Sequence, residues 1–179
     1  MANRHHVFSG RLHSLPLAAG VGVLLCGLAA LHGPPVVLVN ASPSEPPGLY
    51  TRTFETPAVG RIIAFGLPAA GHAYIDAAMP YLRRRPLLKA VAAGPGDLVC
   101  EGATSLTING RERAPVVARD HADRLLPHWQ GCRPLRCDEL FVFSARVPNS
   151  FDSRYFGPVP RASVLGVYQL AAPFTSGAA

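Results

Sequence analysis

Lysine is almost absent from this chain of 179 residues, which holds sixteen arginines but only one lysine, Lys89. Arginine stays protonated in proteins, whereas a buried lysine can lose its proton. The residues around Lys89, LLKAVAAG, are apolar, and burial among such residues lowers the pKa of an ammonium group. The composition therefore points to Lys89 as a candidate base, with an ordinary surface lysine as the alternative.

The chain also has few features of a nucleic-acid-binding or metal-binding protein. Its formal net charge is +6, but apart from residues 83–85 the basic residues are scattered, and no aromatic platform is interleaved with them. The histidines do not recur at ligand spacing from the cysteines. We therefore expect no nucleic-acid partner, no metal and no cofactor.

One long apolar run is present near the start. Residues 15–31 are uncharged and follow residues 1–14, which contain basic residues but no acid. Such a run can span a membrane, and the basic flank predicts that residues 1–14 stay in the cytoplasm while the rest is exported. We expect a transmembrane anchor at residues 15–33 in contact with membrane lipid. A cleaved secretory signal and a buried core helix are the alternatives.

Short apolar stretches bounded by turn residues follow, with little helical periodicity. Together they predict one mostly β, exported domain over residues 36–172, followed by a flexible tail at residues 173–179. Asn109-Gly110 is a strong hairpin signal. The predicted strands are residues 36–39, 49–53, 61–65, 87–92, 98–100, 106–108, 111–113, 139–143 and 163–170.

The segment at residues 39–50, VNASPSEPPGLY, carries two serines, Ser42 and Ser44, among prolines and a glycine. Neither a helix nor a sheet ladder is expected there. The segment can therefore present a hydroxyl group outside regular structure, although a plain Pro/Ser linker has the same composition.

A serine becomes a nucleophile when a base removes its proton. His72, His121 and His128 lie in segments typical of surface loops, and no nucleophile elbow surrounds either serine, which disfavours a Ser–His–Asp triad. A neutral Lys89 is the better candidate base, as in the Ser–Lys variant of serine hydrolysis.

Four segments, in order, resemble conserved boxes of the type I signal peptidases (peptidase family S26), and in particular their conjugative-transfer, TraF-type branch. Residues 40–50 resemble the nucleophile box and residues 60–65 the substrate-binding strand. Residues 88–97 resemble the box of the general-base lysine, and residues 149–158 the last box. The resemblance implies a signal-peptidase-like antiparallel β domain behind the N-terminal anchor. Two departures are Glu45, where general signal peptidases usually have methionine, and residues 145–148, which replace a Gly-Asp-Asn opening.

This resemblance implies a role for individual residues. Ser44 would be the nucleophile, Lys89 the general base, and the Ser44 N–H with the Ser42 hydroxyl the oxyanion hole. Ser150 would orient the Lys89 amine. The supporting pair would be Asp152 and Arg154, for which a plain surface salt bridge is the alternative. The residues expected to pair with the substrate backbone are Ile62, Ile63, Ala64 and Phe65.

The three cysteines of the exported part would face an oxidising compartment, and from their positions alone any two could pair. The resemblance implies a disulfide between Cys100 and Cys132, which leaves Cys137 free.

The implied activity is that of a serine endopeptidase of the bacterial inner (cytoplasmic) membrane, with its catalytic domain facing the periplasm. It would cut exported precursors after small residues, and in the conjugative branch the expected substrate is a pilin subunit, which some members also cyclise. A general leader peptidase, a self-cleaving regulator with the same dyad and a catalytically silent scaffold of a secretion or conjugation complex are the alternatives.

Overall fold

The computed structural model describes residues 33–174, and a compact unit begins at Pro35. The predicted anchor, apart from Gly33, lies outside the described residues, as does most of the predicted tail. None of the helices within residues 33–174 is long and apolar enough to cross a membrane.

The described part is built mostly from antiparallel strands, which confirms the mostly β, antiparallel domain of the predicted fold class. The strands are β1 (Val37–Asn40), β2 (Gly48–Thr53), β3 (Ile62–Phe65), β4 (Leu87–Ala93), β5 (Leu98–Glu101), β6 (Ser105–Ile108), β7 (Arg111–Pro115), β8 (Gly131–Pro134), β9 (Glu139–Val142), β10 (Val159–Pro160) and β11 (Val164–Pro173). The helices are α1 (His72–Ala78) and α2 (Ser153–Phe156), with 3₁₀ turns at Ala69–Gly71, Pro80–Leu82 and Arg161–Ser163.

These strands form two sheets. The larger sheet has the order β1-β2-β11-β3-β4-β9-β10, and the smaller has the order β7-β6-β5-β8. The hairpin predicted at Asn109-Gly110 joins β6 to β7, and both turn residues have positive φ, 52° and 74°, as a tight two-residue connection requires.

Strand β4 positions the candidate base through its simple alternation. Side chains on a strand point to opposite faces in turn, and the buried positions in the middle and at the end of β4 are Lys89, Val91 and Ala93. Val91 and Ala93 contribute to two apolar cores. Lys89 shares their face, so its stem enters the protein where an aliphatic side chain would be expected.

The smaller sheet carries the disulfide. Cys100 on β5 and Cys132 on β8 are directly opposite each other and are bonded through their sulfur atoms, while Cys137 is free and exposed. This cross-link closes the long connection that contains β6 and β7.

Gly48 starts β2 where that strand runs against the end of β11. A Cβ atom at this position would overlap the carbonyl oxygen of Ala172 and lie 2.9 Å from the Cα of Pro173. Both are main-chain atoms, so they cannot move aside without separating the two strands.

We therefore predict that Gly48→Ala lowers the free energy of unfolding by about 1–3 kcal/mol, the usual range for overpacking. Thermal unfolding monitored by circular dichroism measures the effect. Gly66→Ala is the matched control, because a Cβ there has no atom within 4 Å. Equal melting temperatures for the two variants would contradict the prediction.

Candidate active site

The loop at residues 41–47, which we call the serine loop, is organised by Asn40 at the end of β1. The buried amide Nδ2 of Asn40 donates to the carbonyl oxygens of Ser42 at 3.0 Å, Glu45 at 3.1 Å and Pro46 at 3.2 Å. Its Oδ1 accepts from the N–H of Ser42 at 3.0 Å. One side chain thus supplies the hydrogen bonds that this proline-rich loop cannot obtain from a sheet ladder.

The two hydroxyl groups of the serine loop lie side by side. Ser42 Oγ is 3.0 Å from Ser44 Oγ, and the N–H of Ser44 donates to Ser42 Oγ at 3.4 Å. Ser42 is exposed, whereas Ser44 is only 4% exposed. The loop therefore holds Ser44 at the base of the site with a second hydroxyl above it.

Lys89 is 6% exposed, and its Nζ donates to Ser150 Oγ at 2.8 Å. Burial lowers the pKa of Lys89 to about 8, against the opposing effect of the Asp152 and Glu45 carboxylates, and Arg154 lowers it further. With this pKa, a fraction of the Lys89 side chains is neutral at near-neutral pH, as a general base requires.

Asp152 and Arg154 form a fully buried, two-pronged ion pair. Arg154 Nε donates to Asp152 Oδ1 at 2.8 Å, and its Nη2 donates to Oδ2 at 3.0 Å, with both side chains 0% exposed. Nη2 of Arg154 also donates to the carbonyl oxygen of Ser150 at 2.9 Å. The alternative of a surface salt bridge is excluded, and the pair fixes the residue that bonds Lys89.

Ser144, which the sequence analysis missed, connects this ion pair to the serine loop. Its N–H donates to Asp152 Oδ2 at 3.3 Å, and its hydroxyl donates to the carbonyl oxygen of Ser44. Asp152 thus supports the Ser44 side of the site through Ser144 and the Lys89 side through Arg154 and Ser150. The only sequence signal was the position of Ser144 just before the departure at residues 145–148.

No direct hydrogen bond joins Ser44 to Lys89: between residues 33 and 174, Nζ of Lys89 bonds only Ser150. The serine loop and β4 are instead joined one residue further along, where Oε1 of Glu45 accepts from the N–H of Ala90 at 2.8 Å. Hydrogen bonds between catalytic groups are often long in the absence of substrate and form in the complex.

The predicted substrate-pairing role of Ile62, Ile63, Ala64 and Phe65 does not fit the structure. These residues form β3, which pairs with β11 on one side and with β4 on the other, so its main chain is already occupied. Ile63, Ala64 and Phe65 are also fully buried. The prediction came from the resemblance of residues 60–65 to the substrate-binding strand of the family, and such a resemblance does not tell an edge strand from a central one.

The open edge belongs to β4. On the side away from β3, β9 pairs with β4 only at Val91 and Ala93, and Phe143 N–H donates to the carbonyl oxygen of Ala90. No strand of the described chain covers Leu88 on that side. Since alternate residues of a strand direct their N–H and C=O groups to the same side, the peptide groups of Leu88 face the gap beside Lys89.

The three histidines of residues 33–174 make their contacts elsewhere. His72 Nε2 lies 3.0 Å from the carbonyl oxygen of Leu67, and His121 Nε2 lies 3.0 Å from Asn149 Nδ2. His128 lies 3.8 Å from Glu101. The described structure therefore places no histidine in hydrogen-bond contact with Ser42 or Ser44.

Comparison with known proteins identifies the family of the chain. The model of the signal peptidase family, peptidase S26, matches residues 18–172. The chain therefore belongs to the S26 signal peptidase family.

Its relatives place it in the TraF branch, which confirms the resemblance found in the sequence. The chain is 33% identical over 166 residues to the conjugal transfer protein TraF of Agrobacterium tumefaciens, covering 86% of this chain and 92% of the relative. It is 29% identical over 161 residues to the plasmid transfer protein TraF of Escherichia coli, covering 84% and 89%. A signal peptidase I from Enterococcus faecalis covers 64% of this chain at 26% identity, with a TM-score of 0.41, and 98% of its own chain is matched.

The burial of Lys89 has a consequence for stability that depends on pH. Its pKa is about 8 in the folded protein, against 10.5 for a lysine exposed to water, so between these values the unfolded chain binds more protons. The free energy of unfolding therefore rises with pH across this window, and the charged amine destabilises the fold by about 3 kcal/mol below it.

We predict that Lys89→Met raises the free energy of unfolding at pH 7 by about 2 kcal/mol, after subtraction of about 1 kcal/mol for the lost bond to Ser150. The gain should shrink as pH rises from 8 to 10.5. Denaturant unfolding of both proteins across this pH range provides the measurement. A difference that stays constant with pH would show that the folded protein does not hold a destabilised ammonium group at position 89.

Proposed function

We propose that the chain is a membrane-anchored serine endopeptidase that uses Ser44 as nucleophile and Lys89 as general base to process exported precursors. The observation that carries this proposal is the placement of the chain's one lysine. Lys89 is buried on the core face of β4, is hydrogen-bonded by Ser150, has a pKa lowered to about 8, and lies on the strand to which the serine loop is tied.

The chemistry needs only these two groups and the scissile peptide. Ser44 Oγ attacks the carbonyl carbon while Lys89 Nζ takes its proton. Collapse of the tetrahedral intermediate breaks the C–N bond, and the Lys89 ammonium group returns the proton to the leaving amine. Water activated by Lys89 then hydrolyses the ester and restores Ser44.

The negative charge of the intermediate would be held by two donors of the serine loop. The N–H of Ser44 and the hydroxyl of Ser42 lie next to each other, and a hydroxyl hydrogen can rotate toward the oxyanion. One donor of this kind contributes roughly 3 kcal/mol to transition-state stabilisation. Ser150 would orient the Lys89 amine through its hydrogen bond to Nζ. Asp152 and Arg154 would act as positioning residues because their hydrogen bonds reach Lys89 only through Ser150.

A substrate would bind as an extended strand against the open edge of β4, beside Leu88, with the scissile carbonyl between Ser44 and Lys89. Main-chain pairing accepts many sequences, so shallow pockets would supply the preference for small residues. This placement replaces the role assigned to β3 from the sequence. The predicted anchor would keep the site at the periplasmic face of the inner membrane, where exported precursors emerge.

The TraF relatives, named for conjugal and plasmid transfer, support a role in conjugation, and for that role we propose a pilin subunit of the conjugation apparatus as the substrate. Cyclisation would follow if the amine of the substrate's other terminus replaced water at the acyl-enzyme, forming a peptide bond as the Ser44 ester breaks. A general leader peptidase would use the same dyad on a wider set of precursors.

A silent scaffold is the alternative from another class. A scaffold does not need the buried Lys89 amine, which lowers the stability of the fold, whereas a peptidase needs this amine as its base. This contrast favours the enzyme.

The test is cleavage of an exported precursor, an apolar leader followed by an Ala-X-Ala site, by the full chain in detergent or membranes. We predict that wild type cleaves it, whereas Ser44→Ala and Lys89→Arg lose activity by at least about a thousandfold, as with removal of other catalytic serines and bases. Arginine keeps the charge but cannot act as a base near neutral pH.

Mass spectrometry of the product separates the outcomes, because a cyclic product is one water lighter than the linear one. Arg113→Lys, on the exposed part of β7, is the control for a change between the two basic side chains. Cleavage by Lys89→Arg at the wild-type rate would refute the lysine base. A wild type that fails on a panel of leader and pilin precursors would favour the scaffold.

A further inference from the structure

Glu45 is the one side chain that directly links the serine loop to the strand of the candidate base. It follows Ser44 in the sequence, and its carboxylate Oε1 accepts from the N–H of Ala90, which follows Lys89. The bond is 2.8 Å long, and Glu45 is only 5% exposed. Among the described residues, no other hydrogen bond joins residues 41–47 to β4.

We propose that Glu45 is a positioning residue of the Ser44–Lys89 dyad, which ties the serine loop to the lysine strand and places a negative charge beside the amine. This inference rests on the proposed peptidase function. It assigns a role to a residue at which the chain departs from the methionine usual in general signal peptidases.

The direction of the Ala90 peptide group explains why this bond controls the site. The carbonyl oxygen of Ala90 accepts from the N–H of Phe143, on the side of β4 that faces β9. The N–H of Ala90 points to the same side, where the open edge begins. The Glu45 carboxylate thus occupies the last ladder position before the gap, and the serine loop lies next to the edge that a substrate would use.

Other contacts hold the loop from a different direction. Ser144 donates to the carbonyl oxygen of Ser44, and Arg146 Nε donates to the carbonyl oxygen of Pro43 at 3.3 Å. Both belong to the segment after β9, which reaches β4 through Phe143 N–H and the carbonyl oxygen of Ala90, so they connect the loop to β4 only indirectly. Glu45 supplies the direct hydrogen bond. Loss of the Glu45 bond should therefore change the separation of Ser44 and Lys89 without unfolding the loop.

The carboxylate also acts on Lys89 through its charge. The groups that face Lys89 are Asp152 and Glu45, which raise its pKa, and Arg154, which lowers it. Burial raises the pKa of Glu45 itself, while the Ala90 bond, Lys89 and Arg146 lower it. Tyr50 is the further titratable neighbour, and Glu45 contributes to raising its pKa.

The chain offers a direct measurement of this effect, because Lys89 is its only lysine. Growth with ¹³C-labelled lysine gives a single side-chain signal in the full chain in detergent micelles, and its titration needs no substrate. We predict that Glu45→Gln, which keeps an acceptor for Ala90 but loses the charge, lowers the Lys89 midpoint by about half a unit or more. Glu112→Gln, the same change at an exposed position of β7, should leave the midpoint unchanged.

Cleavage of the Ala-X-Ala precursor then tests the positioning role of the bond between Glu45 and Ala90. Glu45→Gln should keep kcat within a few-fold of wild type at high pH and move the acid limb of the pH profile to lower pH. Glu45→Ala removes the acceptor and should lower kcat about a hundredfold at every pH with little change in KM, the size expected for misplaced reacting groups.

If the Glu45→Ala variant keeps the kcat of the wild type across the pH range, the positioning role is overturned. An unchanged Lys89 midpoint in Glu45→Gln would overturn the electrostatic role, and this readout decides even if Glu45→Ala does not fold. If Lys89→Arg remains active, the proposed function fails. If Lys89→Arg is inactive while Glu45→Ala matches wild type, only the present inference fails.

Discussion

The burial of one amine on the core face of β4 is the constraint on which the rest of the site depends. A strand residue that shares its face with the buried Val91 and Ala93 would ordinarily be apolar, and a charged group there destabilises the fold. The structure offsets that cost locally, through the hydroxyl of Ser150 and the Asp152 carboxylate. The result is an amine that is both held in place and close to losing its proton.

The buried pair of Asp152 and Arg154 is better understood as a positioning device than as a source of stability. A buried ion pair often contributes little net stability, because desolvation offsets the attraction, but removing one partner leaves the other charge uncompensated. Here the pair reaches the lysine through Ser150 and the serine through Ser144. Because one buried ion pair supports both residues, the relative position of Ser44 and Lys89 depends on a small number of contacts.

The sequence predicted the features that local patterns encode. The two-residue period of the strands, the proline-rich serine loop and the isolated lysine were visible, and four ordered segments carried the resemblance to the S26 family. The contacts that join Asn40, Ser144 and Glu45 to their partners could not be predicted, because they depend on which strands meet. The same limitation explains the misplaced substrate strand: the pattern of residues 61–65 indicates a strand, but only the sheet order shows that β3 has two neighbours.

The composition of the serine loop follows from how it is held. Proline lacks an N–H donor and has a fixed φ, so Pro43, Pro46 and Pro47 reduce both the number of donors that need partners and the conformational freedom lost on folding. Several of the remaining polar groups are met by Asn40 from within β1 and by Ser144 and Arg146 from the opposite segment. A serine hydroxyl held in this way is ordered before any ligand binds, so binding energy need not be used to order the loop. Irregular backbone is thus the means by which the chain places Ser44 outside the sheet and still holds it beside β4.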